Sequence, residues 1–125
     1  GRIDLPIGRS SANRLKMAVA VDGRHAVTKY RVLWRRKGYS FLECTIETGR
    51  THQIRVHLGF LGHPIVGDSL YGGDKKTAAI LRRVFLHSWK LSFLHPATGT
   101  RMSFTSILPD ALTGQLQDVL STVLD

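Results

Sequence analysis

The residues best suited to chemistry lie in one short run, from Glu47 to Leu58. Its polar members between those ends are Thr48, Arg50, Thr51, His52, Gln53, Arg55 and His57. Arginine forks and the free backbone N–H groups at the start of a helix are groups that bind phosphate in proteins. The run therefore predicts a contact with the backbone of a nucleic acid, made first by Arg50 and Thr51. A solvated, arginine-rich junction is the alternative, and residue types alone leave both open.

The apolar residues within and after this run predict a helix of about three turns. Ile54, Leu58 and Leu61 recur at positions i, i+4 and i+7. Thr51 is the expected N-cap, and Gly62 stands where a glycine commonly ends a helix.

Arg55 is expected beside the buried stripe of this helix, one turn after Thr51. A charged side chain in that position needs an anionic partner. The helix contains no carboxylate, so the partner is expected from another part of the protein.

Strands and a hairpin precede the run. Residues 26–35 and 42–47 alternate apolar and polar types on either side of Lys37-Gly38, which predicts an antiparallel hairpin. A shorter strand is expected over residues 17–21, followed by a turn at Asp22-Gly23.

The part of the chain after the run predicts two more helices and a second strand pair. Residues 75–84 are typical of a short basic helix, whose charged face is either solvated or turned toward RNA. Residues 89–93 and 102–104 alternate as strands around a turn at residues 96–99. An amphipathic helix opens at Asp110, with one apolar face formed by Leu112, Leu116, Val119, Leu120 and Val123.

These elements together predict the α+β class, with antiparallel strand pairs and inserted helices. Residues 1–15 are expected to be irregular, and Trp34 and Trp89 are expected to belong to the core.

The composition favours a polyanionic partner. The 125 residues suffice for one small domain, and 18 Lys and Arg against 9 Asp and Glu give a formal charge of +9. Twelve of the 18 basic residues are arginine, the side chain whose planar fork suits phosphate. RNA is the natural inference, although a basic ribosome-associated or membrane-surface protein would carry a similar charge. No apolar run approaches the roughly 18 residues of a membrane span.

The single cysteine, Cys44, allows no disulfide within the chain, which fits a reducing compartment. A cytoplasmic location is expected, and an organelle would fit the same observation. The first six residues contain neither an initiator Met nor an apolar run. We expect the sequence to begin partway into a longer chain, and we do not expect these residues to be a signal peptide.

The order and spacing of the motifs closely resemble the RluA-type RNA pseudouridine synthases. The central match is GRTHQIRVHL at residues 49–58, GHPIVGD at residues 62–68 and LYG at residues 70–72. Shorter matching stretches lie before it, at residues 6–9, 16–19 and 28–33, and after it, at residues 86–88, 91–93, 95–99 and 108–109. The resemblance therefore covers nearly the whole chain.

This resemblance implies a pseudouridine synthase fold and the activity of that family. Such an enzyme detaches an RNA uridine from its ribose and rejoins it through carbon, without metal or cofactor. The target base is flipped out of its stack, an aspartate in an Arg-Leu-Asp motif is the nucleophile, and a tyrosine stacks on the base. The arginine of the Gln-Ile-Arg element, Arg55 here, would pair with the aspartate and position it. The candidate RNA-binding residues are Arg50, Thr51, His52, Gln53, His57 and Tyr71.

The chain departs from the family pattern in two respects. Its first residue is expected to follow both the catalytic aspartate motif and the stacking tyrosine of the family, and Tyr30 lies in a different segment, where it is expected to be a strand residue. None of its seven aspartates stands in an Arg-Leu-Asp setting, since Arg2-Ile3-Asp4 occupies a different place. Residues 1–125 are therefore expected to be the C-terminal portion of the catalytic domain, inactive alone and exposing an apolar face or an open strand edge. The partner of Arg55 is then expected outside the chain, and Arg55→Ala in the full-length protein is expected to abolish turnover while largely sparing the fold.

Alternatives remain at three places. Residues 67–70, GDSL, match a hydrolase signature, but a match of only four residues is expected by coincidence. In addition, no aspartate shortly precedes the last histidine, His95, as a catalytic triad of that type would need. His52 and His57 are five apart, which does not suit a shared zinc ion on one helix, so no metal is expected. The two histidines are expected to make hydrogen bonds around the motif or to contact RNA. Tyr71 is expected either to stack on a base or to anchor its loop. The function is expected to be that of an RNA-modifying enzyme or of a non-catalytic RNA-binding module.

Overall fold

The structure is a computed structural model that describes residues 1–76, 79 and 82–122. In this part of the chain seven strands and two helices follow one another, which confirms the α+β class. They are β1 (Arg2–Asp4), β2 (Ile7–Arg9), β3 (Met17–Val19), β4 (Val27–Arg36), β5 (Tyr39–Ile46), α1 (Gln53–Phe60), β6 (Lys90–Leu94), β7 (Arg101–Thr105) and α2 (Asp110–Thr122).

The strands form three antiparallel groups. β4 lies between β1 and β5 in a three-stranded sheet, while β2 pairs with β3 and β6 pairs with β7. β1 and β2 occupy part of the segment expected to be irregular, so that expectation was wrong. Each of these strands has three residues and gains its hydrogen bonds from a distant partner, so a local pattern of alternation is too short to reveal it.

The predicted hairpin is confirmed as β4 and β5. Lys37 and Gly38 form its two-residue loop, with φ of 52° and 79°. Positive φ at both loop positions matches the right-handed twist of the two strands. The register shifts between Val32 and Trp34, so that Leu33 is an extra residue on β4, a β-bulge.

The small core beside α1 is formed by Ile7, Ala26 and Val56, with three partly buried residues packed against it: Met17, Val19 and Tyr71. The chain reaches it through a turn in which the N–H of Gly23 bonds to the carbonyl of Ala20 at 2.9 Å. A Cβ on Gly23 would lie 2.6 Å from the carbonyl carbon of Ile7, so this close backbone approach requires glycine.

The first turn of α1 differs from the prediction, whereas its end agrees with it. His52, not Thr51, is the N-cap, and it has left-handed backbone angles and no capping side-chain bond. The C-terminal end is as predicted, because Gly62 has φ of 85°. The N–H of Gly62 bonds to the carbonyl of Gly59, and that of His63 to the carbonyl of Leu58, as in a Schellman motif.

The buried face of α1 is also not the predicted one. It comprises Gln53, Val56, His57 and Leu58, while Leu61 is exposed. The pattern of apolar residues does not predict this face, because two of its residues are polar. Their burial depends on hydrogen bonds to other elements.

The C-terminal elements agree with the pattern where they are described. α2 opens at Asp110, and Leu112 on its apolar face is completely buried. Val119, Leu120 and Val123 lie outside the described side chains. The helix predicted over residues 75–84 includes four residues outside the described part of the chain.

Several large apolar side chains are exposed, as expected. Leu91, Phe93 and Phe104 of the β6–β7 pair are all exposed, with the rings of Phe93 and Phe104 stacked at 5.9 Å. Trp34 and Trp89 are also more than a third exposed, so the prediction that both are core residues was wrong.

Candidate functional site

A buried hydrogen-bond network ties the start of α1 to the sheet, and the Gln53 side chain is its centre. The amide oxygen of Gln53 accepts from the hydroxyl of Thr48 at 2.8 Å and from the N–H of Arg50 at 3.0 Å. Its amide nitrogen donates to the carbonyl of Val27 at 2.9 Å and to the hydroxyl of Thr28 at 3.0 Å. All four hydrogen-bonding positions of the amide are therefore used within the protein.

The network continues through His57, which is completely buried. Its Nε2 donates to the carbonyl of Leu5 at 2.9 Å, because a carbonyl oxygen can only accept. The hydroxyl of Thr28, which accepts from Gln53, lies 2.8 Å from Nδ1 of His57 and donates to it in the tautomer that carries its proton on Nε2. Both ring nitrogens are thus occupied by protein groups.

Two of the candidate RNA contacts, Gln53 and His57, make hydrogen bonds within the protein, which is the other role expected for His57. Gln53 and His57 are both buried, and the polar atoms of both side chains are bonded to other parts of the chain. RNA would reach them only if the network opened. Their role is to fix α1 against β4 and the segment after β1.

Gln53→Glu is expected to lower the free energy of unfolding by about 2 kcal/mol, because two buried acceptors lose their donor and a charge replaces an amide. Urea unfolding followed by circular dichroism measures the difference. Gln117→Glu makes the same chemical change at an exposed position of α2 and serves as the control. Equal stability of the two variants would show that the network contributes nothing.

Arg55 is paired with Asp68 in the loop after α1. Its Nε and Nη2 donate to the two carboxylate oxygens of Asp68, each at 2.9 Å. The Asp68 side chain is completely buried, while that of Arg55 is 19% exposed. Arg55 therefore has an anionic partner within the chain, which the sequence did not predict, because Gly67, with φ of 80°, turns the loop back toward α1. A pairing of Arg55 with an upstream aspartate stays a prediction.

The pKa values of this pair follow from burial and contact. Burial alone would raise the pKa of Asp68, but the hydrogen bonds and charge of Arg55, helped by the N–H groups of Tyr71 and Leu70, lower it below its usual value. The pKa of Arg55 is raised, chiefly by the hydrogen bond to Asp68. Both groups are therefore charged at neutral pH, and each stabilises the charged form of the other.

Tyr71 lies against the guanidinium and connects it to the rest of the site. The Cζ atom of Arg55 is 5.0 Å from the centre of the Tyr71 ring, a cation–π contact. The Tyr71 hydroxyl accepts from the N–H of Met17 at 3.0 Å and lies 2.7 Å from Nδ1 of His52. These contacts show that Tyr71 anchors its loop, one of its two expected roles.

His52 has the strained backbone of the site. Its φ of 56° is unusual for a residue other than glycine. Burial lowers the pKa of its imidazole, as does the charge of Arg55, although Asp68 acts in the opposite direction. The neutral ring is thus favoured, and in its tautomer with the proton on Nε2 the Tyr71 hydroxyl donates to Nδ1 while accepting from the N–H of Met17.

Comparison with known proteins agrees with these motifs. A family model described as RNA pseudouridylate synthase matches residues 1–59. An uncharacterized RNA pseudouridine synthase of Chloroflexus aurantiacus is 52% identical over 121 residues, covering 94% of this chain and 38% of the relative. The ribosomal large subunit pseudouridine synthase D of Nitrosomonas europaea is 46% identical over 125 residues, covering 95% of this chain and 36% of the relative. The chain belongs to the RNA pseudouridine synthase family.

Solved structures agree with this assignment. The human RNA pseudouridylate synthase domain containing 1 protein superposes with a TM-score of 0.74 at 26% identity, covering 99% of this chain and 59% of that protein. The pseudouridine synthase fold predicted from the sequence is confirmed. The chain spans little more than a third of the length of the two bacterial relatives.

Four of the predicted RNA-binding residues retain some exposed surface in this family member. Thr51 is exposed, and Arg50, His52 and Tyr71 are half-buried. Nε of Arg50 donates to the carbonyl of His25 at 2.7 Å, which holds the guanidinium beside the start of α1. Arg50, Thr51 and His52 precede Arg55 on the chain, and Tyr71 contacts it from the following loop.

Sequence reasoning missed Asp68 as the partner of Arg55. One signal was present, since Asp68 and Asp74 are the only acidic residues between Thr48 and Pro109. A buried arginine in that segment therefore had few carboxylates to meet. It also missed Thr28 and Thr48, whose hydroxyls complete the network and whose types alone give no indication of it.

Two further observations concern metals and membranes. Over residues 1–76, 79 and 82–122, no group of three or more histidine, cysteine, aspartate or glutamate side chains is placed to hold a metal ion. Neither helix in that same part of the chain has the length and apolar character needed to cross a bilayer.

Proposed function

We propose that residues 1–125 form the C-terminal portion of a catalytic domain that converts specific uridines of structured ribosomal or transfer RNA into pseudouridine. The observation that carries the proposal is the Arg55 guanidinium, oriented by two bonds to buried Asp68 and by the Tyr71 ring. The names of the relatives support the same activity. A cytoplasmic location, or another reducing compartment, fits this function.

Arg55 retains hydrogen-bonding capacity for a second carboxylate. A guanidinium has five N–H donors, and Asp68 takes one from Nε and one from Nη2. The three remaining donors would bind and orient the nucleophilic aspartate of an upstream segment. Asp68 would then be a positioning residue, acting on the reaction through Arg55.

The proposed reaction is an isomerisation within one nucleotide. The bond from the ribose to N1 of uracil breaks, a bond to C5 forms, the hydrogen on C5 leaves as a proton, and N1 gains one. Arg50, Thr51 and His52 would contact the RNA backbone near the start of α1, with Tyr71 beside them. These steps involve no metal or cofactor.

Tritium release from RNA labelled at C5 of uridine tests this proposal, because every turnover frees the C5 hydrogen. The assay compares the 125-residue chain with a longer gene product that contains it and supplies an Arg-Leu-Asp motif. We expect release only from the longer protein. Release from neither, with RNA binding retained, would favour the non-catalytic RNA-binding module, and release from the short chain would place the nucleophile within residues 1–125.

A further inference from the structure

The outer half of the β4–β5 hairpin carries aromatic and arginine side chains on one face. Glu43, Phe41 and Tyr39 alternate along β5 and therefore share a face. Their cross-strand partners are Arg31, Trp34 and Arg36. We call Trp34, Arg36, Tyr39 and Phe41 the hairpin strip. Arg35, whose cross-strand partner is Ser40, lies next to it on the opposite face.

The bulge at Leu33 creates this arrangement. With uninterrupted alternation, Trp34 and Arg36 would lie on the opposite face from Arg31. The extra residue reverses the alternation, so that Trp34 faces Phe41 and Arg36 faces Tyr39. Bulges commonly redirect side chains near functional surfaces.

The aromatic part of the strip is ordered and accessible. The rings of Trp34 and Phe41 stack with centroids 5.2 Å apart and an interplanar angle of 5°. Phe85 contacts Phe41 edge-on at 6.2 Å and so supports the stack. Trp34 nevertheless remains 37% exposed, which leaves indole surface for another flat ring.

Positive charge increases along the hairpin toward its tip. Near the base, Lys29 pairs with Glu47 and Arg31 pairs with Glu43, each at 2.9 Å. No acidic residue occurs from residue 32 to residue 42, and Arg35 and Arg36 are exposed. Among the described residues neither of these two arginines forms an ion pair.

We propose that the hairpin strip binds an unpaired segment of RNA, with a base stacked on Trp34 and a phosphate held by Arg36, while Arg35 adds positive charge at the tip from the opposite face. Aromatic rings beside uncompensated arginines are the combination that binds unstacked bases and their backbone. The choice of RNA as partner rests on the proposed function.

The strip is separate from the Arg55 site. Thr28, in the Gln53 network, and Arg36 are eight residues apart on β4, which at about 3.3 Å per residue corresponds to roughly 26 Å. The strip would therefore hold nucleotides that flank the target, and it would select for RNA with an unpaired stretch at that distance.

Fluorescence of Trp34 reports on the strip directly. In a Trp89→Phe background Trp34 is the only tryptophan, and the probe is a short single-stranded oligouridylate. We expect the oligonucleotide to quench Trp34 fluorescence, and a duplex RNA of equal length to quench it less. Arg35→Gln with Arg36→Gln should reduce the slope of log affinity against log salt by about 0.7 for each phosphate that the variant no longer binds.

The matched control removes two exposed positive charges elsewhere, through Lys90→Gln with Arg101→Gln on β6 and β7. The control should retain the quenching and the salt slope of the parent. RNA binding without a change in Trp34 fluorescence would overturn the proposal, as would equal losses of affinity in the two double variants. Equal quenching by polyglutamate would overturn the choice of RNA as partner.

The two proposals fail in different ways. If the longer protein releases tritium while the strip variants bind RNA as tightly as the parent, the strip inference is wrong and the enzyme proposal stands. If no turnover is found but the oligonucleotide quenches Trp34 and the strip variants weaken that binding, the enzyme proposal fails and the strip remains an RNA surface.

Discussion

Arg55→Lys in an active protein that contains this chain is expected to lower kcat by about 100-fold or more, the size of loss caused by a misplaced reacting group. Lysine keeps the positive charge but loses the planar fork, so it cannot hold Asp68 through two bonds and present further donors to a second carboxylate. KM for RNA should change little, because Arg50 and Thr51 remain in place. Single-turnover tritium release separates the two quantities.

The lysine variant is a better test than Arg55→Ala. Alanine would leave the completely buried carboxylate of Asp68 without its partner. We therefore expect Arg55→Ala to destabilise the fold, contrary to the expectation from the sequence. Arg24→Lys, at an exposed position, makes the same exchange and should retain full turnover. If Arg55→Lys were as active as Arg24→Lys, Arg55 would not position the nucleophile.

The sequence was sufficient for elements whose pattern is local. The β4–β5 hairpin, the end of α1 at Gly62 and the start of α2 at Asp110 each depend on alternation, a turn or a cap within a few residues. β1 and β2 were missed, because strands of three residues exist only through their distant partners. The bulge at Leu33 was missed because it depends on the register of the opposite strand.

The motif located the candidate site, but it did not predict the contacts within the site. Gln53 and His57 were candidate RNA contacts because they belong to the motif, with hydrogen bonding around the motif as the other expectation for His57. Their burial is stable only because Thr28, Thr48 and Leu5 supply matching groups from other parts of the chain. Sequence proximity gave no indication of these partners, since Thr28 is 29 residues from His57.

Asp68→Asn is expected to lower the free energy of unfolding at neutral pH by about 3 kcal/mol, as when one member of a buried ion pair is removed. The amide keeps the size of the carboxylate, but it can present only one oxygen to the two donors of Arg55. Urea unfolding of the 125-residue chain at pH 7 measures this loss. Asp4→Asn is the control, because Asp4 pairs with Arg2 at an exposed position, where the expected change is below about 1 kcal/mol.

The same pair predicts how stability depends on acid. The pKa of Asp68 is lower in the folded protein than in the unfolded chain, where an aspartate has a pKa of about 3.9. Its contribution is therefore fully present above that unfolded value and is lost as the pH falls through the folded pKa. The difference in unfolding free energy between the parent and Asp68→Asn should be constant near neutrality and should shrink below about pH 4. A difference that stayed constant into strong acid would mean that the charge of Asp68 does not stabilise the fold, and that the loss in Asp68→Asn comes from altered packing around Arg55.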